Sequence, residues 1–126
     1  MAETKFDLED RLVDFSCRII EVVEALPSTR AGNYIAAQLI RCGLAPALLY
    51  GEAQGAESRP DFIHKMRICL KELKETRVCL KVICKANMIK PKERLDNIKS
   101  ENEQLISIVA KSIETAKKNL NNEKKS

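Results

Sequence analysis

Apolar residues in this chain return every three or four positions, in four runs separated by proline-centred breaks. That rhythm admits little besides amphipathic helices. In the first run Leu8, Leu12, Phe15, Ile19, Val22 and Leu26 share one helical face, which Val13, Ile20 and Val23 widen. Pro27 closes it, because a proline pushes the residue before it out of the helical region. The second run leads from the Pro27–Ser28–Thr29 break to about Gln54. The third opens at Ser58, a capping residue, with Pro60 suited to a first turn and Asp61 favourable near the helix dipole. Its expected core stripe is Phe62, Met66, Cys69, Leu73, Thr76, Leu80 and Ile83, ending near Asn87. The fourth starts at about Pro91 and carries Leu95, Ile98, Asn102, Leu105, Val109, Ser112 and Ala116 on a heptad seam. Asn102 reads there as a register-setting or partly exposed polar residue.

Four such segments joined by short turns predict an all-α protein, an antiparallel up-down-up-down four-helix bundle. With 126 residues the chain has the size of one domain. The bundle is expected over residues 1–121, followed by a disordered tail, 122–126, that has no apolar anchor. In the second helix Gly43, Ala47 and Gly51 recur every fourth position, so a neighbouring backbone is expected to come close on that side. No run approaches the roughly 18 apolar residues of a membrane span, and the acidic N-terminus lacks the apolar stretch of a signal peptide. The expectation is a cytoplasmic protein.

Charge is distributed unevenly. Residues 1–26 hold seven acids against three bases, whereas residues 65–99 hold eleven bases against four acids. At 100° per residue Arg67, Lys71, Lys74, Lys81 and Lys85 lie within an arc of about 80°, opposite the apolar stripe of the third helix. Such a face is either an ordinary solvated surface or a phosphate-binding one. Val78 and Val82 share it, which also fits a subunit interface. Tyr34 and Tyr50 are the only plausible residues for stacking a base, against a sequence-specific single-strand binder.

No catalytic constellation is legible. His64 has no nucleophile or orienting acid in a recognisable arrangement. Glu52, Glu57 and Asp61 read as capping and salt-bridging residues. The five cysteines, Cys17, Cys42, Cys69, Cys79 and Cys84, form no CxxC and read as buried free thiols rather than metal ligands. No phosphate-cradling glycine loop is present. No cofactor, metal or small-molecule substrate is expected.

Residues 38–77 carry a denser pattern. Gln38, Leu39, Arg41 and Gly43, then Tyr50, Glu52 and Ala53, then Ala56, Ser58, Asp61, Phe62, Ile63 and Lys65, then Leu70, Lys71, Glu72, Glu75 and Thr76 fit four successive groups. In this the chain resembles the four-helix-bundle family related to the 23S rRNA intervening-sequence proteins, with the accessory proteins of diversity-generating retroelements as a related branch. The resemblance covers the whole helix plan, and its specific motif about a third of the chain. It implies a ring-shaped homo-oligomer, typically a pentamer, an association with ribosomal RNA intervening sequences by gene context, and no enzymatic activity. In the related branch it implies binding of nucleic acid and a reverse transcriptase through a basic surface. The chain departs at Leu49, where the pattern has Asn, at Gly51, where it has Arg, and at Val78–Cys79, which replace an aromatic pair.

The resulting expectation is a non-enzymatic homo-oligomeric bundle that binds RNA or another nucleic acid. Phosphate contacts would come from Arg41, Arg59, Lys65, Arg67, Lys71, Lys74, Lys81 and Lys85, and subunit contacts from Tyr50, Val78 and Val82. The acidic first helix would help seat subunits. The alternative is a protein–protein scaffold or adaptor without nucleic-acid binding.

Overall fold

The structure is a computed structural model that describes residues 7–125. Residues 1–6 of the expected domain and Ser126 of the expected tail lie outside the described residues. Four helices, α1 (Leu8–Ala25), α2 (Arg30–Gln54), α3 (Arg59–Lys85) and α4 (Asp96–Lys125), form a four-helix bundle. Around it α1 packs on α2, α2 on α3, α3 on α4 and α4 back on α1, which leaves α1 and α3 on the diagonal.

Local chemistry sets the helix ends. Asp7, Thr29 and Ser58 cap the first three helices, each accepting a hydrogen bond from the backbone N–H three residues on, at 3.2, 3.0 and 3.2 Å. α3 closes on Asn87, which takes φ 55°, while the Asn87 and Met88 N–H groups donate to the Cys84 and Ile83 carbonyls. This double closure suits a helix end with asparagine in the left-handed position.

The fourth helix begins later than Pro91. Pro91 is extended and follows a cis peptide bond, and a short 3-10 turn, Lys92–Leu95, precedes α4. The linker tucks Ile89 into the core, and Leu95 keeps the buried position expected of it. The tail differs as well: residues 122–125 are helical, and Arg59 on α3 donates to Glu123 at 2.7 Å.

Leu12, Phe15, Ile19, Leu39, Met66, Leu73, Leu80, Ile83, Leu105 and Val109 fill the core. Val13 and Ile20, expected to widen the α1 stripe, are exposed, because α2 and α4 cover only the Leu8–Leu12–Phe15–Ile19 side. On α4 the heptad seam drifts: Ile106 and Ile113 are buried and Ser112 is only half-buried. Over thirty residues a period of 3.6 outruns a strict repeat of 3.5. Asn102 is fully buried rather than partly exposed.

Only part of the small-residue side of α2 is used for close packing. A Cβ on Gly43 would lie 2.6 Å from Ile19 Cγ2, whereas one on Gly51 would meet nothing within 4 Å. α2 continues through Pro46, whose carbonyl accepts from the Cys69 thiol at 3.6 Å. No helix among the described residues is long and apolar enough to cross a membrane.

Candidate nucleic-acid interface

α3 presents its basic residues because its opposite side is committed to the core. Ile63, Met66, Cys69, Leu73, Thr76, Leu80 and Ile83 are buried, so the positions half a turn away must face out. Arg67, Lys71, Lys74, Lys81 and Lys85 are all exposed there, and none has a carboxylate within 4.0 Å among the described residues. Val78 and Val82 stand among them, 58% and 46% exposed. Arg67, Leu70, Lys71, Lys74, Glu75 and Val78 line a shallow concavity of about 460 Å³.

The other three expected cations are engaged. Arg41 on α2 reaches across to α3 and binds Glu72 at 2.9 Å and Glu75 at 3.0 Å. Glu72 is buried, so Arg41 supplies the counter-charge that lets a carboxylate stay there. The guanidinium is held above its ordinary pKa by the hydrogen bond to Glu75 and the charge of Glu72. Lys65 bonds Glu52 at 2.9 Å, which likewise raises its pKa. Arg59 is held by Glu123 at 2.7 Å. In their present partnerships these three residues tie α3 to its neighbours.

Of the three expected subunit contacts, Val78 and Val82 are open surface. Tyr50 is half-buried and packs against its own core, its phenol pKa raised by burial and by the nearby acids Asp7 and Glu9.

The thiols are not uniformly buried. Cys17 is exposed, Cys42 and Cys69 are buried, and Cys79 and Cys84 are half-buried. The Cys42 thiol donates to the Leu39 carbonyl at 3.8 Å; the Cys79 thiol of α3 brings its pKa down to about 7, and that of Cys79 is raised by Cys42 and by burial. Burial raises Cys69 to about 12. No group of three His, Cys, Asp or Glu side chains among the described residues is arranged to hold a metal ion. His64 is exposed and borders a crevice of about 250 Å³ with Ile63, Arg67, Lys117 and Leu120.

Sequence reasoning centred on α3 missed the cations that α4 contributes. Lys117 joins Arg67 at one end of α3, and Lys99 joins Arg77 and Lys81 toward the other. Lys99 stands three residues before Asn102, so the seam itself placed it at the edge of the α3–α4 groove.

A family profile described as 23S rRNA-intervening sequence protein matches residues 5–111. The chain belongs to this family. A solved structure with the same fold is a protein of unknown function from the S23 ribosomal protein family of Bacteroides thetaiotaomicron. It is 26% identical, with a TM-score of 0.78, over 85% of this chain and 98% of that one. No curated protein matches the chain. Membership in the intervening-sequence protein family agrees with the motif over residues 38–77 and with the four-helix bundle.

Proposed function

We propose that this intervening-sequence family protein is a non-enzymatic, homo-oligomeric RNA-binding bundle of the cytoplasm, and that the outer face of α3 is its phosphate-contacting surface. The observation that carries the reading is the set of five exposed cations, Arg67, Lys71, Lys74, Lys81 and Lys85, free of carboxylate partners among the described residues. Cations already neutralised by carboxylates release few counterions on meeting a phosphate, whereas unpaired ones add fully to affinity and to its salt dependence. Lysines on one helical face track a phosphate backbone by shape and charge, and the scarcity of aromatics fits weak sequence preference.

The test is fluorescence anisotropy of a labelled structured RNA across a salt series. Five phosphate contacts correspond to a log–log slope of about −3.5 on single-stranded segments, and reversing Lys71 and Lys74 to glutamate should bring it to about −2. A double variant that binds like the parent would refute the assignment of the face.

Val78 and Val82 favour a second reading. Two half-exposed valines among the lysines resemble the apolar centre of a docking site, and under the scaffold reading this face meets another protein. Absence of RNA binding even at low salt would decide for it. Ring assembly is compatible with both readings, and native mass spectrometry of the parent beside Val78→Lys measures the subunit number and whether this face sets it.

A further inference from the structure

α2 carries only three charged residues, Arg30, Arg41 and Glu52. Arg41 is engaged by Glu72 and Glu75, so the outer side of the helix between Ala37 and Gly51 has no free charge. Ile40, Leu44 and Leu48 follow one another there at steps of four, and Leu48 is 69% exposed. A helix that is apolar on all sides is one that something covers on all sides. α1 continues this surface. Ile19 lies against Gly43 of α2, and Arg11 turns the other flank of α1 to Glu101 of α4. Val13 and Ile20, half a turn from Arg11, therefore stand beside α2. Both are exposed, and they join Ile40 and Leu48 in one apolar face.

Glu9, Asp10, Asp14, Glu21 and Glu24 border that face. All five are exposed, and none has a cation within 4.0 Å among the described residues. An apolar centre edged by unpaired acids is matched by an apolar centre edged by bases. RNA and an anionic membrane surface carry the wrong charge for it, and an uncharged peptide would leave the acids unmet. The chain itself carries the match. Val78 and Val82 stand exposed among Lys71, Lys74, Lys81 and Lys85 on α3, at the corner diagonal to α1.

We propose that the acid-bordered face of α1 and α2 seats the α3 face of a second copy of this chain, valines on the apolar centre and lysines on the acids. Seat and insert lie on opposite corners of one bundle, so the contact is head-to-tail and propagates until a ring closes. The same contact sets carboxylates where phosphates would otherwise lie, so a given α3 holds either a neighbour or RNA. That exclusion rests on the reading of α3 as the RNA-binding face, whereas the seating does not. Subunit contact by Val78 and Val82 and phosphate contact by the lysines are then alternating uses of one surface.

Sedimentation velocity of the full chain across a salt series tests it. The parent should form multimers at low salt that shift toward monomer as salt rises. A seat variant, Asp14→Lys with Glu21→Lys and Leu48→Lys, should be monomeric. So should an insert variant, Lys71→Glu with Lys74→Glu and Val78→Glu. All six positions are exposed, so helical circular dichroism should match the parent. An equal mixture of the two variants should form a heterodimer and nothing larger, because one brings only a working insert and the other only a working seat. The salt response of the parent keeps the test decisive if a variant unfolds. A short labelled RNA hairpin should bind the seat variant at least about threefold more tightly than the assembled parent, whose α3 faces are occupied. The proposal is overturned by a parent that stays monomeric at low salt, as when the seat belongs to a basic protein of another kind. It is equally overturned if either variant keeps the mass of the parent, if the mixture stays monomeric, or if the hairpin binds the parent as tightly as the seat variant. RNA binding by a monomeric parent removes this inference alone. A heterodimer of variants from a protein without RNA affinity removes the proposed RNA binding alone.

Discussion

Gly43 and Gly51 lie two turns apart in the same helix, yet replacing each by alanine should change stability in opposite directions. In a helix interior alanine is favoured over glycine by about 1 kcal/mol. Gly51 should realise that gain, because an added Cβ there meets nothing within 4 Å. At Gly43 the same atom would sit 2.6 Å from Ile19 Cγ2 and 2.9 Å from Ile19 Cγ1. Ordinary carbon–carbon contact is about 3.5–4.0 Å, so the overlap is close to 1 Å on two atoms. Ile19 is completely buried and β-branched, and it cannot swing aside, so α1 itself must move. Overpacking of this kind costs about 1–3 kcal/mol, and two simultaneous overlaps belong in the upper half of that range. Set against the helix-propensity gain, Gly43→Ala should lose about 1–2 kcal/mol net, so that the two variants differ by about 2–3 kcal/mol. Urea denaturation followed by circular dichroism should show the midpoints moving apart with an unchanged slope, and thermal melts separating by roughly 10 °C. A second arm isolates the contact: Ile19→Ala should cost less in the Gly43→Ala background than in the parent. If Gly43→Ala proves as stable as Gly51→Ala, the close approach of α1 to α2 is wrong.

Other expectations follow from single contacts. Ser58→Ala should cost about 1 kcal/mol in a denaturant melt, through loss of the α3 cap. Cys69 keeps its proton to about 12 in the folded chain against 9.0 for an ordinary thiol. Its contribution is therefore complete below about pH 9 and is lost as pH rises toward 12, at no more than about 1.4 kcal/mol per pH unit. Cys69→Ala should flatten this alkaline decline in melts taken across that window. Arg11 on α1 grips Glu101 on α4 through two hydrogen bonds of 3.0 and 2.6 Å. Glu101→Gln should cost about 1 kcal/mol, less in high salt, as part-exposed ion pairs do.

The helix plan was legible because its signals are local. Pro27, Ser58 with Pro60, and the three-and-four spacing of apolar residues each act within a turn or two, and they placed α1, α2 and α3 to within about two residues. The start of α4 was not, because Pro91 is equally good chemistry for a first helical turn and for an extended linker. The linker buries Ile89 just before Pro91, and the helix starts only at Asp96. The site divides in the same way. Which lysines share the outer face of α3 follows from helical geometry. That Arg41 is engaged depends on Glu72 and Glu75, and that Arg59 is engaged depends on Glu123, partners brought close only by the tertiary fold. Gly43 and Gly51 sit at equivalent steps of one repeat, and only the path of α1 distinguishes them.

The diagonal placement of α1 and α3 has a consequence for how the molecule travels. α1 carries five acids against two bases, and α3 eight bases against three acids. With these helices on opposite corners of the bundle, the chain has a permanent electric dipole directed across its short axis. In the field of a polyanion that dipole exerts a torque before any contact is made, turning α3 toward the approaching surface and α1 away. Misoriented encounters are repelled by the acidic corner instead of being held in unproductive contact. Under the proposed RNA-binding function, the same arrangement makes the rate of association, more than the lifetime of the complex, the quantity most sensitive to ionic strength.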